Sequence, residues 1–403
     1  MTDDPGARPE VKLRPRHQRR VRAGHPWVYS NEIVMDETER SLAPGSLVTV
    51  VADDGRRLGV ATFNPHTLVS LRILARDPGR NIDREFLADR LKRALKLRES
   101  FYEEPFYRLV HGEADGLPGL VVDRYGEVLV CQTATAGMER LLDDILAALD
   151  ALLDPRVVVL KNESRIRALE GLDSYVRTVK GALDGPVEIR ENGVRSPVDV
   201  IGGQKTGWFY DQRDNRAFMA GLSRGGRMLD VYCYGGGFAL AAAAAGATEV
   251  LAVDSSAPAL DLARRAARLN GLDGRCTFLG GKAFEELERL AGERFRVVAA
   301  DPPAFVKSRK DLRAGLKGYR KLARLAAGLV EPGGFLFLAS CSHNVEAALF
   351  ADEVARGVAR AGRAGRVIRA AGAANGVRIF DVEALVLGHE PAPMTFARPS
   401  RPR

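Results

Sequence analysis

No stretch of this 403-residue sequence approaches the 18 or more consecutive apolar residues that a membrane-spanning helix requires. Cysteine is scarce. The four present, Cys131, Cys233, Cys276 and Cys341, include no close pair, which argues against a zinc site and against a disulfide framework. No metal is therefore expected. The opening MTDDPGARPE is acidic and polar and lacks the features of a secretory leader, so a reducing cytoplasm is the expected compartment. Nor does acid dominate: 60 Lys and Arg against 52 Asp and Glu leave a formal charge of +8, which favours a polyanionic partner such as nucleic acid. A generally arginine-rich composition would give the same sign. The length suits two or three domains.

What is present centres on Met228 to Asp254. An apolar run containing Asp230 is followed by Gly235, Gly236 and Gly237, an alanine-rich helical stretch, and a second apolar run ending in Asp254. Strand, glycine turn, helix and strand with an acid at its tip is the layout of a nucleoside cofactor site. Glycines admit the ligand to the backbone, and the acid accepts from ribose hydroxyls. Dinucleotide oxidoreductases and S-adenosylmethionine enzymes share that layout. Strands are expected at 228–233, 249–253, 275–279, 295–300 and 334–340 with helices between, which implies a parallel sheet covered on both faces. Ligands to such sheets collect where the strands end.

The strand ends carry the chemistry. Beyond the third strand stands Lys282, which cannot accept from an adenine amine, leaving backbone groups at Ala283 and Phe284 for that contact. The fourth ends in Asp301-Pro302-Pro303-Ala304-Phe305, where two prolines stiffen the loop and free its carbonyls. The fifth ends in Ser340-Cys341-Ser342-His343. Carbon 5 of a pyrimidine is too poor a nucleophile to attack a sulfonium methyl, and a thiolate adding at carbon 6 activates it. A cysteine at a strand tip beside the proline loop suits that role, with His343 as a base or a phosphate contact. A small buried hydrophobe is the bland alternative for any lone cysteine, and it is the expectation for the other three.

Upstream, residues 11–25 hold six Lys and Arg and no acid, beside strand-like stretches at 46–52, 58–63 and 68–75 separated by turn signals. A small β-barrel with a basic arm is expected there. Residues 81–100 and 138–153 read as helices, and 107–132 as two strands punctuated by glycine and proline. Further strands are expected at 156–161 and 186–190. GQKTGWFYDQRDNR at 203–216 lacks the glycines of a phosphate loop and reads as a turn into a helix capped near Asp211.

HPWVYS, YRLVHGEADGLPGL, GQKTGWFYDQRDNR, DVYCYGGGFAL, DPPAFVKSRKDL and ASCSH together resemble the family of 23S ribosomal RNA (cytosine-5-)-methyltransferases with an N-terminal PUA domain. The resemblance implies an α/β architecture in three parts. These are a PUA-like RNA-binding β-barrel at 9–80, a small central α+β domain at 81–190, and a Rossmann-like class I methyltransferase domain at 191–403. It implies S-adenosylmethionine as cofactor, held by Asp230, Tyr232, Tyr234, Gly235, Gly237, Asp254, Ser255, Ala283, Phe284 and Asp301, with Gln204, Lys205, Thr206, Asp211 and Gln212 at the pocket entrance. Cys341 would be the nucleophile and Asp301 would hold the cytosine. Arg14, Arg16, Arg19, Arg20, Trp27, Arg216, Pro302, Pro303, Phe305, Lys307 and His343 would meet RNA, and a homodimer is implied because related proteins are often dimers. Ala304 stands where two-cysteine relatives carry a second thiol and where amine methyltransferases carry an aromatic ring. The ending GHEPAPMTFARPSRPR departs from the family's apolar last strand. Competing expectations are methylation of another RNA position such as a guanine nitrogen, a non-catalytic RNA-binding assembly factor and, last, an oxidoreductase.

Overall fold

The computed structural model describes residues 8–342, 344–371 and 383–388, the last stretch as backbone only. The chain forms two compact units, Met1–Val187 with Asp199–Trp208, and Glu188–Val198 with Phe209–Arg403.

The first unit opens with a five-stranded sheet in the order Glu10–Lys12, Ser46–Val51, Arg57–Phe63, Val69–Ala75, Trp27–Tyr29. The basic segment is no loose arm. Glu10–Lys12 pairs in parallel with Ser46–Val51, and Gln18–Arg22 is a short helix. Val11, Leu13 and Val21, apolar positions spaced among the cations, are buried in the barrel core, so the charge occupies the outer face of integrated structure. A second five-stranded sheet follows, in the order Tyr175–Lys180, Val157–Asn162, Val128–Thr133, Leu120–Tyr125, Phe106–His111. The region 107–132 thus holds three strands where two were expected, because the turn at Gly126 reverses the chain tightly between Leu120–Tyr125 and Val128–Thr133. Helices Arg84–Glu99 and Leu142–Leu153 contribute Leu87, Leu91, Ile145 and Leu149 to the core beneath this sheet.

The second unit is built on a seven-stranded sheet in the order Cys276–Gly280, Glu249–Asp254, Arg227–Val231, Phe295–Ala300, Val330–Ser340, Glu383–Gly388, Arg366–Ala371. The first five strands are parallel and the final pair antiparallel. Alternate residues point to opposite faces. Leu229, Val231, Leu251, Val253, Val298 and Leu336 pack one way, under helices Ala283–Arg289, Leu312–Leu329 and Ala347–Arg360. Met228, Val250, Ala252, Val297 and Phe337 pack the other way, under Arg213–Ser223, Gly237–Ala244 and Ala257–Leu269. Burial on both faces is why these strands read as continuous apolar runs. All five expected strands are present, Glu383–Gly388 and Arg366–Ala371 extend the sheet, and the divergent ending past Gly388 lies outside the described residues. Strand order reverses beside Arg227–Val231, so a crevice for ligand is expected where that strand and its neighbours end.

Candidate active site

At the tip of Arg227–Val231 the backbone is forced into unusual conformations. Tyr232 and Tyr234 adopt left-handed φ values of 65° and 49°, rare for residues with a Cβ, and such outliers concentrate at ligand sites. The loop is held by the next strand: Cys233 N–H donates to Val253 O at 3.0 Å, and Tyr234 N–H to Asp254 Oδ2 at 2.8 Å. The left-handed glycine of the cluster is Gly236, which caps the following helix, whereas the sequence reading favoured Gly235 and Gly237. A Cβ on Gly236 would lie 3.1 Å from Ala263 Cβ and 3.3 Å from the Phe278 ring. Only glycine combines that turn with that packing. Cys233 sits in this turn, past the end of the strand expected to contain it.

Three carboxylates converge on the strand ends. Asp230 is fully buried and accepts from Ala239 N–H at 2.9 Å. Burial, helped by the charges of Asp301 and Asp254, pushes its pKa up to about 7. Its role is to fasten the glycine-capped helix to the strand. Asp254 is half-buried and accepts from the Tyr234 and Ser256 amides, both at 2.8 Å, which fixes the orientation of its carboxylate. Ser255 is exposed beside it. Asp301 accepts from Gln212 Nε2 at 3.0 Å, and Gln212 in turn accepts from Asn215 Nδ2 at 2.8 Å. Gln212 therefore positions Asp301. A left-handed loop at the tip of the first strand and an acid at the tip of the second fit a nucleoside. Three acids in one place fit a ligand that carries a sulfonium and an ammonium. S-adenosylmethionine has both, and supplies an activated methyl when bound.

Ala283 and Phe284 begin the helix after the third strand, and the Phe284 ring packs 6.1 Å from that of Phe305. Lys282 is exposed and paired with Glu285 at 3.1 Å. Asp211 lies buried in a 3₁₀ turn, Tyr210–Gln212. The helix is capped at the adjacent Gln212, near Asp211 as expected. Arg216, expected against RNA, is buried, with Nε on Glu191 at 2.6 Å and a second nitrogen on the Phe209 carbonyl at 2.8 Å. That guanidinium belongs to the scaffold.

Cys341 follows Ser340 at the tip of its strand and is half-buried. Its thiol donates to the Pro302 carbonyl at 3.9 Å, so the sulfur lies on the loop that begins at Asp301. In the other three cysteines burial pushes the thiol up, to about 12 for Cys131, about 11 for Cys276 and well above the ordinary thiol value for Cys233. Those thiols do not ionise at neutral pH. A buried network missed in the sequence braces the tip. Tyr319 Oη lies 2.9 Å from Ser340 Oγ and 2.8 Å from Ser342 Oγ, and Val306 N–H donates to Ser342 Oγ at 3.2 Å. The residues on either side of Cys341 are thus tied to the helix Leu312–Leu329 and to the proline loop. Phe305 packs against Tyr319 at 4.7 Å between centroids, so its ring helps anchor that loop. Pro303 and Lys307 are exposed on the same loop, while Pro302 is buried. His343 lies outside the described residues. Tyr319→Phe should lower kcat several-fold with the affinity for S-adenosylmethionine and the melting temperature little changed. An unchanged kcat would reduce the network to packing.

In the first unit, Trp27 donates its indole N–H to Glu113 at 2.7 Å, Arg14 donates to the Ile33 carbonyl and Arg20 pairs with Glu32 at 3.1 Å; Arg16 and Arg19 are exposed. Gln204 and Lys205 are exposed in this unit. Thr206 is buried, its hydroxyl on Asp123 at 2.5 Å and its carbonyl accepting from Tyr125 Oη at 3.1 Å, while the buried Lys161 ammonium donates to the Gly203 carbonyl.

The fold and the strand-end site define an S-adenosylmethionine-dependent methyltransferase, and the model of that family matches residues 139–368; a PUA-like domain matches 11–76. A relative from Shewanella denitrificans, a ribosomal RNA large subunit methyltransferase I, is 38% identical over 352 residues, covering 86% of this chain and 88% of its own length. Its namesake from Shewanella amazonensis is 37% identical over 360 residues, covering 88% and 90%. The chain belongs to the ribosomal RNA large subunit methyltransferase I family. Among solved structures, a proposed SAM-dependent methyltransferase from Streptococcus mutans shares the fold, with a TM-score of 0.79 at 18% identity, over 94% of this chain and 100% of that one. No described helix is long and apolar enough to cross a membrane.

Proposed function

We propose that the protein transfers the methyl of S-adenosylmethionine to carbon 5 of a cytosine in 23S ribosomal RNA through a covalent adduct with Cys341. The observation that carries this reading is the placement of the Cys341 sulfur at a strand tip on the Asp301-Pro302-Pro303 loop, in the same strand-end cluster as Asp254. A cysteine there has no task in methylating an exocyclic amine or a ring nitrogen. For carbon 5 it is required: the thiolate adds to carbon 6, the electron pair moves to carbon 5, and carbon 5 takes the methyl. A base then removes the carbon-5 proton, and the sulfur leaves as the double bond re-forms. Asp301, held by Gln212, orients the ring, and Asp254 holds the ribose of the cofactor. The exposed cations of the PUA-like domain, Arg16 and Arg19 among them, grip the RNA backbone, and the protein acts in the cytoplasm as a homodimer.

A 23S transcript made with 5-fluorocytidine tests the scheme. Fluorine at carbon 5 cannot leave as a proton, so the enzyme and its cofactor should give a protein–RNA complex that survives denaturing electrophoresis. Methylation of ordinary transcript without any trapped complex would point to a nitrogen target instead, and failure to bind S-adenosylmethionine to an assembly factor.

A further inference from the structure

We propose that Arg309, Lys310, Arg313 and Lys317, continuing from Lys307, form a track for consecutive phosphates of the RNA strand that flanks the target base. The inference rests on the RNA-methylation reading and adds the face of the catalytic unit on which the strand lies. All five cations are exposed, and none has a carboxylate within ion-pair distance among the described residues. Asp311, the acid among them, has its Oδ2 engaged by the Ser308 amide and hydroxyl at 3.0 and 2.8 Å. One turn farther along the same helix two cations are paired instead, Arg320 with Glu353 at 2.5 Å and Lys321 with Glu288 at 3.0 Å. So are many basic residues elsewhere on this unit, such as Arg227 with Glu249 and Glu293, Arg195 with Glu188, and Arg289 with Glu286. Five exposed cations within eleven residues thus gather on the proline loop and the start of the helix that follows it.

That end is fixed to the catalytic loop. Gly315 lies flush on it, since a Cβ there would come 2.3 Å from Val306 Cγ2 and 2.7 Å from the Phe305 carbonyl. Val306 is buried and its amide is bound to Ser342, the residue after Cys341. The cations therefore stand at a set distance from the sulfur. Arg313 and Lys317 are four residues apart on one helix, about 6 Å of rise, which suits successive phosphates of an extended strand. An enzyme that extrudes a base must hold the backbone on either side of it. A row of exposed cations on the segment that is fixed to the loop of the nucleophile serves that need.

The experiment measures binding of full-length protein to a 23S ribosomal RNA transcript as a function of salt, for wild type, Arg313→Ala/Lys317→Ala and the control Arg289→Ala. Losing two phosphate contacts should weaken binding on the order of 10- to 100-fold and flatten the log–log salt slope by about 1.4 to 1.8. The KM for RNA should rise in parallel, while the melting temperature and the affinity for S-adenosylmethionine stay as in wild type. The control should match wild type. An unchanged slope in the double variant, or a wild type that binds no RNA, overturns the track. A track that passes this test in a protein that gives no 5-methylcytosine would stand, and the carbon-5 reading would fall alone.

Discussion

Replacing Cys341 by alanine should leave a folded protein that binds S-adenosylmethionine normally and methylates no RNA. The side chain is half-buried at a strand tip, so removing its sulfur costs little packing. No neighbouring group can substitute. Among the other thiols, Cys131 and Cys233 are fixed in cores, and burial holds Cys276 protonated. Without covalent addition, carbon 5 lacks the electron density to attack, and turnover should fall by at least about four orders of magnitude, to the background of binding and orientation. Cofactor affinity by calorimetry and methyl incorporation from labelled donor separate the two functions. Methylation at more than a few per cent of the wild-type rate would remove the covalent step from the scheme.

The largest effect on stability is expected at Glu191, a residue with no part in the chemistry. This carboxylate is buried between Arg216, at 2.6 Å, and Arg213, at 3.3 Å. It lies on the hairpin Val187–Glu191 and Val194–Val198, and the two arginines open the helix Arg213–Ser223. Deleting one member of a buried ionic set strands the remaining charges in a low dielectric, at a cost of about 3–5 kcal/mol. Glu191→Gln should accordingly lower the melting temperature by several degrees. It should also weaken cofactor binding, because that helix begins at Gln212, which holds Asp301. The companion variant Glu191→Gln/Arg216→Met should recover part of the loss. A Glu191→Gln protein as stable as wild type would mean that water enters the cluster.

What the sequence made legible follows from these energetics. Strands buried on both faces have to be apolar throughout, so the five parallel strands and the acids at their tips stood out. The strand Arg366–Ala371 did not, because much of it is exposed and its arginines mimic a solvated face; Arg369 in fact stacks on Phe218 at 4.5 Å. The left-handed turns at Tyr232 and Tyr234 left no trace, since tyrosine is not a residue that announces positive φ. Gly236 was hidden by its neighbours, as three consecutive glycines do not say which one turns left. The Tyr319 network joins residues 21 and 23 positions apart through hydroxyl groups, which have no periodicity to detect. The barrel strand Glu10–Lys12 was masked because it is three residues long and its one inward residue, Val11, stands between charged side chains.

The chain crosses between its two units three times, near residues 187, 198 and 208. No single scission can therefore separate the methyltransferase unit whole from the unit that holds the PUA-like domain. A fragment starting at Phe209 would carry every strand of the large sheet but forfeit Glu191, leaving two arginines of its first helix without their counter-ion. The interleaving ties inheritance of one part to the other: recombination that swaps the front of the gene also swaps a strut of the methyl-transfer core. The two halves must then evolve as one.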